Sequence, residues 1–299
     1  MLAYLNGRWI DEPLHVPVTD AGFVLGVTVA EQMRTFGGTL FRLEEHLARL
    51  RRSLQVVGVT PSIPLEQLAE DAKHLARENH RQLDPGDDLG LSLFITPGTY
   101  STFQPDGSEP LVGMHTYPIP FRLWADKYTS GQALMTTNVT QVPASCWPPE
   151  LKCRSRMHYY LADREAARRR PGARALLLDQ NGFVSEASTA NIVLYRRGEG
   201  LISPPSDTIL AGISVGVLRE LADELKITWN ERPLRPEDVY RSDEVFLTST
   251  SPCLLPVTVC DGHDIGDGRP GPVGRRLLDE WGRRVNIDIV AQARRFANR

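Results

Sequence analysis

The sequence predicts an α/β (α+β) protein of two domains, a small N-terminal α/β domain and a larger C-terminal mixed α/β domain. Three observations carry this. The 299 residues exceed the roughly 150 of an average domain. Period-two and period-3.6 apolar patterns alternate through both halves. The stretch "TYPIPFRLWADKYTSG" (116–131) carries Pro118 and Pro120 and interrupts the apolar pattern. The expected division is 1–117, an interdomain connection over 118–131, and 132–299.

The elements follow in order. "TVAEQMRTFGGTLFRL" (28–43) reads as two extended runs around Gly37–Gly38, a hairpin. "LEEHLARLRRSLQVVG" (43–58) spaces Leu43, Leu47, Leu50 and Leu54 for a helix that Gly58 ends. "PLEQLAEDAKHLARENH" (64–80) is a second amphipathic helix and "LGLSLFIT" (89–96) a strand. "PGTYSTFQPDGSEP" (97–110) is a loop of turn formers. Beyond the connection come strand 133–140, helix 155–170, strand 173–179, the turn "QNG" and strand 191–197. Helix 214–227, strands 243–250 and 254–259, and a last helix near 273–284 complete the chain.

Composition excludes several classes. A hydrophobic fraction of 41% and a charged fraction of 24% suit a protein with real cores. The formal net charge of -3 gives no bulk attraction to nucleic acid or an anionic membrane. The N-terminus lacks the cationic and apolar regions of a signal peptide, and no apolar run nears the ~20 residues of a membrane span. Cys146, Cys153, Cys253 and Cys260 form no C-x-x-C pair, so free thiols in a reduced cytoplasm are expected and a metal site is not. "GDGRPG" (266–271) formally matches G-x-G-x-x-G. Pro270 removes an N–H that a pyrophosphate would need, and no second βαβ unit follows, so a turn into a helix is the better reading.

Five pieces carry candidate chemistry, and each has an ordinary structural explanation. Arg49 lies beside the Leu47/Leu50 stripe, as a solvated helix residue also would. Lys152 follows Pro148 and Pro149 and stands with Arg154 and Arg156, a cluster that also suits a surface. Glu186 falls in a polar stretch between strands. Ile213 and Ser214 open a helix after a glycine turn, where Ser214 also suits an N-cap. Thr248, Ser249, Thr250 and Ser251 end a strand, where hydroxyls also serve their own loop. His46 and His158 read as packing or surface residues.

Taken in order, these pieces resemble the class IV pyridoxal-phosphate aminotransferases, which have fold type IV and include branched-chain and D-amino-acid aminotransferases and aminodeoxychorismate lyase. His46–Leu50 resembles the family's H-x-x-R-L helix, with Arg49 as its phosphate ligand. Lys152 matches the lysine that forms the internal aldimine. Gly182, Val184, Glu186 and Asn191 match G-x-V-x-E-x-x-x-x-N. "LAGIS" (210–214) is similar to L-P-G-I-T, and Asp243 through Thr250 to D-E-V-F-x-x-x-T. The resemblance spans nearly the whole chain. It implies pyridoxal 5'-phosphate in a cleft between two domains, and a homodimer. An amino group then passes from an amino acid to a 2-oxo acid.

Each residue type suits that cofactor. The phosphate dianion needs a cation, hydroxyls and helix N-terminal amides, here Arg49, Ile213, Ser214, Ser249 and Thr250. The aldehyde needs an amine, Lys152, which also moves the proton at the substrate Cα. A carboxylate, Glu186, keeps the pyridine nitrogen protonated.

The substrate side departs from the family. Leu25 and Ala30 stand where branched-chain enzymes carry larger aromatic groups. "TPG" (96–98) puts Pro97 where the D-amino-acid enzymes and the lyase have arginine. The tyrosine shortly after the lysine is out of register, with Arg156 or Met157 nearby and Tyr159 and Tyr160 a turn later. Arg154 and Arg156, with Arg34 and Arg122, are then candidates for a substrate carboxylate, and Ala30 shapes the pocket. A lyase of the aminodeoxychorismate type, and a cofactor-binding homologue without turnover, are the rival readings.

Overall fold

Alternation along three central strands decides the first part of the structure. The computed structural model describes residues 1–104 and 108–298, so residues 105–107 of the expected 97–110 loop lie outside the described residues. The chain divides into two compact units, Met1–Ile119 with Glu150–Ser155, and Pro120–Pro149 with the residues from Arg156 on.

The first unit runs β1 (Ala3–Leu5), β2 (Arg8–Ile10), α1 (Ala21–Val24), β3 (Val29–Phe36), β4 (Thr39–Leu40), α2 (Leu43–Val57), α3 (Leu65–His80), β5 (Leu89–Thr96) and β6 (Leu111–Pro118). Its sheet has the order β2-β1-β6-β5-β3-β4, with antiparallel neighbours throughout. Register puts Met33 opposite Leu91, and Leu93 between Glu31 and Met114. With Val29, Leu89, Ile95 and Val112 these form one apolar face, which joins Leu47, Leu50 and Leu54 of α2 and Leu68 and Leu75 of α3 in a single core. The opposite face carries Ala30, Gln32, Arg34, Gly90, Ser92, Phe94, Gly113, His115 and Tyr117. Helix α2 ends at Gly58, whose φ of 68° is the left-handed conformation a glycine takes without a Cβ penalty.

The second unit opens with a 3-10 turn (Phe121–Leu123), then α4 (Lys127–Ser130), β7 (Gln132–Thr136), α5 (Met157–Arg169), β8 (Arg174–Leu178), β9 (Val184–Ala187), β10 (Asn191–Arg196) and β11 (Gly200–Ser203). There follow α6 (Ile213–Glu224), β12 (Trp229–Glu231), α7 (Pro236–Tyr240), β13 (Glu244–Ser249), β14 (Cys253–Cys260), β15 (His263–Asp264), α8 (Pro272–Val285) and α9 (Ile289–Arg295). A mixed sheet runs β12-β11-β10-β13-β14-β7-β8-β9, with β15 on β14. Helix α5 buries Ala162 and Ala166 against Ala175 and Leu177. Small residues at this seam let helix and sheet approach closely.

Several elements depart from the sequence reading. β6 occupies 111–118, so the connection expected over 118–131 overlaps its end, and residues 120–131 carry the 3-10 turn and α4 of the second unit. Pro118 terminates the strand rather than precluding it. The strand expected over 133–140 stops at Thr136. Residues 266–269 are turns, and Pro272 opens α8 at a position where its missing N–H costs nothing.

Candidate active site

Lys152 lies five residues before α5, in a segment that packs with the first unit. The segment pairs with the start of β3. Ala30 N donates to Lys152 O at 3.1 Å, Arg154 N donates to Thr28 O at 2.8 Å, and Cys153 faces Val29. The chain then bends at Arg154. The prolines at 148 and 149 keep this approach out of the helix.

Helix α2 supplies the groups beside it. His46, Arg49 and Ser53 recur at helical spacing, next to the leucine stripe, and all three are buried. Ser53 Oγ accepts from Lys152 N at 3.1 Å. Arg49 grips Glu31 of β3 with two bonds, Nε to Oε1 at 2.8 Å and Nη2 to Oε2 at 2.7 Å. His46 Nδ1 lies 2.7 Å from Glu31 Oε2. Burial pushes the Glu31 carboxyl upward, but Arg49 and then His46 outweigh it and hold it down at about 2. Burial also lowers His46, against the pull of Glu31. The neutral imidazole donates from Nδ1, the only role a carboxylate leaves it.

In the second unit Glu186 sits on β9, only 3% exposed. Its Oε1 accepts from Leu210 N at 2.7 Å and Asn191 Nδ2 at 2.9 Å. Its Oε2 accepts from the Tyr159 hydroxyl at 3.0 Å and Gln141 Nε2 at 3.2 Å. Burial and then the Glu186 charge push the Tyr159 phenol far above its ordinary range, so it stays a donor. Asn191 Nδ2 also donates to Leu210 O at 3.0 Å. A Cβ on Gly212 would stand 2.1 Å from Asn191 Oδ1. Only glycine lets the backbone ahead of α6 come this close. The two sequence motifs, residues 182–191 and 210–214, are therefore one structure.

Gly212 caps α6 without a side-chain hydrogen bond. The first N–H groups of a helix have no partner within it and attract an anion. Ser214, in that first turn, is buried. Thr248 lies opposite Asn191 in the sheet, and its buried Oγ1 has no hydrogen-bond partner, like that of Ser185. Ser249 and Thr250 follow at the end of β13.

Among the residues singled out from sequence, Arg49, Lys152, Ala30 and Arg154 thus fall together in the first unit. Glu186, Ile213, Ser214, Ser249 and Thr250 fall in the second, as does Arg156 at the N-terminus of α5. Glu186 is on a strand rather than in a polar linker. Sequence reasoning passed over Glu31, Ser53, Gln141 and the role of Tyr159 as a partner of Glu186. Glu31 had a signal: it shares the parity of Val29 and Met33, so β3 turns a charge toward the core. Among the described residues no group of three or more His, Cys, Asp or Glu side chains is placed to hold a metal ion, and no helix is long and apolar enough to cross a membrane.

The first unit thus ties the backbone of Lys152 to the helix that carries Arg49, and the second ties a buried carboxylate to the backbone just before α6. The profile of the amino-transferase class IV family matches residues 28–260, and the chain belongs to that family. Among individual proteins, it is 30% identical over 285 residues to a putative branched-chain-amino-acid aminotransferase of Methanocaldococcus jannaschii, covering 94% of this chain and 95% of that one. It is 27% identical to a D-alanine aminotransferase of Bacillus licheniformis, covering 93% and 94%. Its fold matches the branched-chain amino acid aminotransferase of Escherichia coli with a TM-score of 0.83 at 26% identity, over 94% and 93% of the two chains. It also matches that of T.th., solved with pyridoxamine 5'-phosphate, with a TM-score of 0.85 at 25% identity, over 95% and 93%.

Proposed function

We propose that this chain is an aminotransferase that works with pyridoxal 5'-phosphate, moving an amino group from an amino acid to a 2-oxo acid. The carrying observation is the joined Glu186–Asn191–Gly212 cluster, which holds a buried carboxylate next to an uncapped helix N-terminus. The donor set fits the cofactor. Arg49, the Ile213 and Ser214 amides, Ser249 and Thr250 would hold its phosphate. When bound, the cofactor supplies an aldehyde that takes up amino groups and a ring that draws electrons from the substrate Cα.

The chain's residues do the rest. With the cofactor bound, Lys152 Nζ would be the amine that holds its aldehyde and would move the proton at the substrate Cα. Glu186 would hold a proton at the ring nitrogen, and its four hydrogen-bond donors orient the carboxylate. Arg154, Arg156 and the small Ala30 shape the substrate side. The protein works as a homodimer, a reading supported by the exposed apolar side chains Val18, Phe23 and Leu25 in the first unit and Met157 and Tyr160 in the second, and in a reducing cytoplasm, a reading supported by the free thiols of Cys146, Cys153, Cys253 and Cys260.

The test is the visible spectrum of the cofactor-loaded protein and of Lys152→Ala, before and after borohydride. The reading expects reduction to fix the cofactor covalently in the wild type and not in the variant. Added amino acids should shift the wild-type spectrum, and a 2-oxo acid should restore it. Fixation in Lys152→Ala equal to wild type would overturn the assignment of the lysine.

A further inference from the structure

Four arginines were candidates for a substrate carboxylate, and the structure distinguishes them. Arg34 is 1% exposed, stacks on the Phe36 ring at 4.0 Å and donates from Nε to Thr35 O. Arg122 lies exposed on a 3-10 turn. Arg156 flanks α5, near His158. Arg154 differs: it is two residues beyond Lys152, and its Nη2 donates to Ser92 Oγ at 2.8 Å.

Ser92 is 1% exposed and lies on the polar face of the first sheet. Register places Gln32 on one side of it and His115 on the other. Tyr117 belongs to the same face, and its hydroxyl accepts from Gln32 Nε2 at 3.4 Å. The two glycines here make the floor. A Cβ at Gly90 would meet the Tyr117 ring at 2.3 Å, and one at Gly113 the Phe94 ring at 2.3 Å. Both rings therefore lie over bare backbone, with His115 between them at 6.0 and 6.5 Å. Burial and then the Arg154 charge lower His115, so it is a neutral imidazole beside a cation.

A branched aliphatic side chain laid on this face would strip water from the partly exposed Arg154, Gln32 and His115 and return no hydrogen bond. Each such loss is costly. A carboxylate matches the planar guanidinium fork, and the aromatic rings accommodate the methylenes that carry it.

We propose that Arg154, fixed by Ser92, is the specificity-determining residue of this site and receives a carboxylate at the end of the substrate's side chain. The preferred donor is accordingly an acidic amino acid rather than a branched aliphatic one. This rests on the aminotransferase reading above.

The experiment uses the full-length, cofactor-loaded protein. Binding of glutarate and of pentanoate is measured by calorimetry on wild type, Arg154→Leu, Arg154→Lys and Ser92→Ala. In parallel, glutamate, aspartate, leucine and alanine, in both hands, are scored by single-turnover change of the visible spectrum. Wild type should bind glutarate more tightly than pentanoate. Arg154→Leu should weaken glutarate about 100-fold more than it weakens pentanoate or alanine, so that the wild-type preference for glutarate is lost. Ser92→Ala should weaken glutarate about 5-fold, and Arg154→Lys should fall between the two. Equal losses for glutarate, pentanoate and alanine would instead assign Arg154 to the α-carboxylate and overturn the proposal. So would wild-type turnover of leucine as fast as glutamate. A spectrum that no amino acid changes, while glutarate still binds through Arg154, would mark failure of the aminotransferase reading and not of the carboxylate site.

Discussion

Replacing Glu31 by glutamine removes one charge from the most enclosed ionic cluster of the first unit. Glu31 is 0% exposed, and its oxygens accept two bonds from Arg49 and one from His46. Its carboxyl falls from an ordinary 4.5 to about 2 on folding. At about 1.4 kcal/mol per pH unit, that displacement corresponds to about 3 kcal/mol of stability in the ionised form. The glutamine variant also leaves the Arg49 charge enclosed and without its carboxylate, which typically costs about 3–5 kcal/mol. Urea unfolding at pH 7 should therefore show Glu31→Gln less stable by about 3 kcal/mol. The pH dependence has a definite sign. A carboxyl depressed on folding stabilises fully above its unfolded value of 4.5, and the contribution fades as pH falls toward about 2. Wild type should lose this increment across that window, and Glu31→Gln should lose correspondingly less. A variant within about 0.5 kcal/mol of wild type at pH 7, with an unchanged acid limb, would refute the argument that the Glu31–Arg49 pair is a net stabiliser.

Two further substitutions test the second unit. Gly212→Ala puts a methyl 2.1 Å from Asn191 Oδ1, so either α6 or Asn191 must move. A stability loss of about 1–3 kcal/mol and cofactor retention weakened about 10-fold or more on dialysis are expected. Tyr159→Phe takes a hydroxyl donor at 3.0 Å from the buried Glu186. It should cost about 1–3 kcal/mol in thermal unfolding and displace the pH titration of the bound cofactor's absorption, whereas a purely packing role for the ring would leave that titration unmoved.

Much of the chain was legible because local rules and tertiary packing agree. The leucine stripe of α2 and its closing Gly58, the hairpin at Gly37–Gly38, and the strand over 89–96 all carry a single clear period. The short elements were harder. β1 and β2 are three residues each, joined through Asn6 and Gly7 at φ 47° and 81°. The Asn-Gly pair is a hairpin signal, but its strands are too brief for periodicity to register. β6 was obscured by Pro118, which a strand tolerates at its end. β9 reads as polar because Ser185 and Glu186 are buried by partners far away in sequence, not by their own hydrophobicity.

By itself the sequence determined the motifs: a lysine after two prolines, an H-x-x-R helix, a glutamate five residues before an asparagine, and a glycine opening a helix. Residue type and spacing are local properties, and they suffice to name candidate chemistry. The tertiary structure decided which of those residues share a surface. It turned Glu31 inward to hold Arg49, joined Asn191 to the backbone before Gly212, and laid Arg154 against Ser92, 62 residues away in the chain. These pairings depend on strand register and on where a helix face lands, quantities that arise only when distant segments bury their apolar surfaces together.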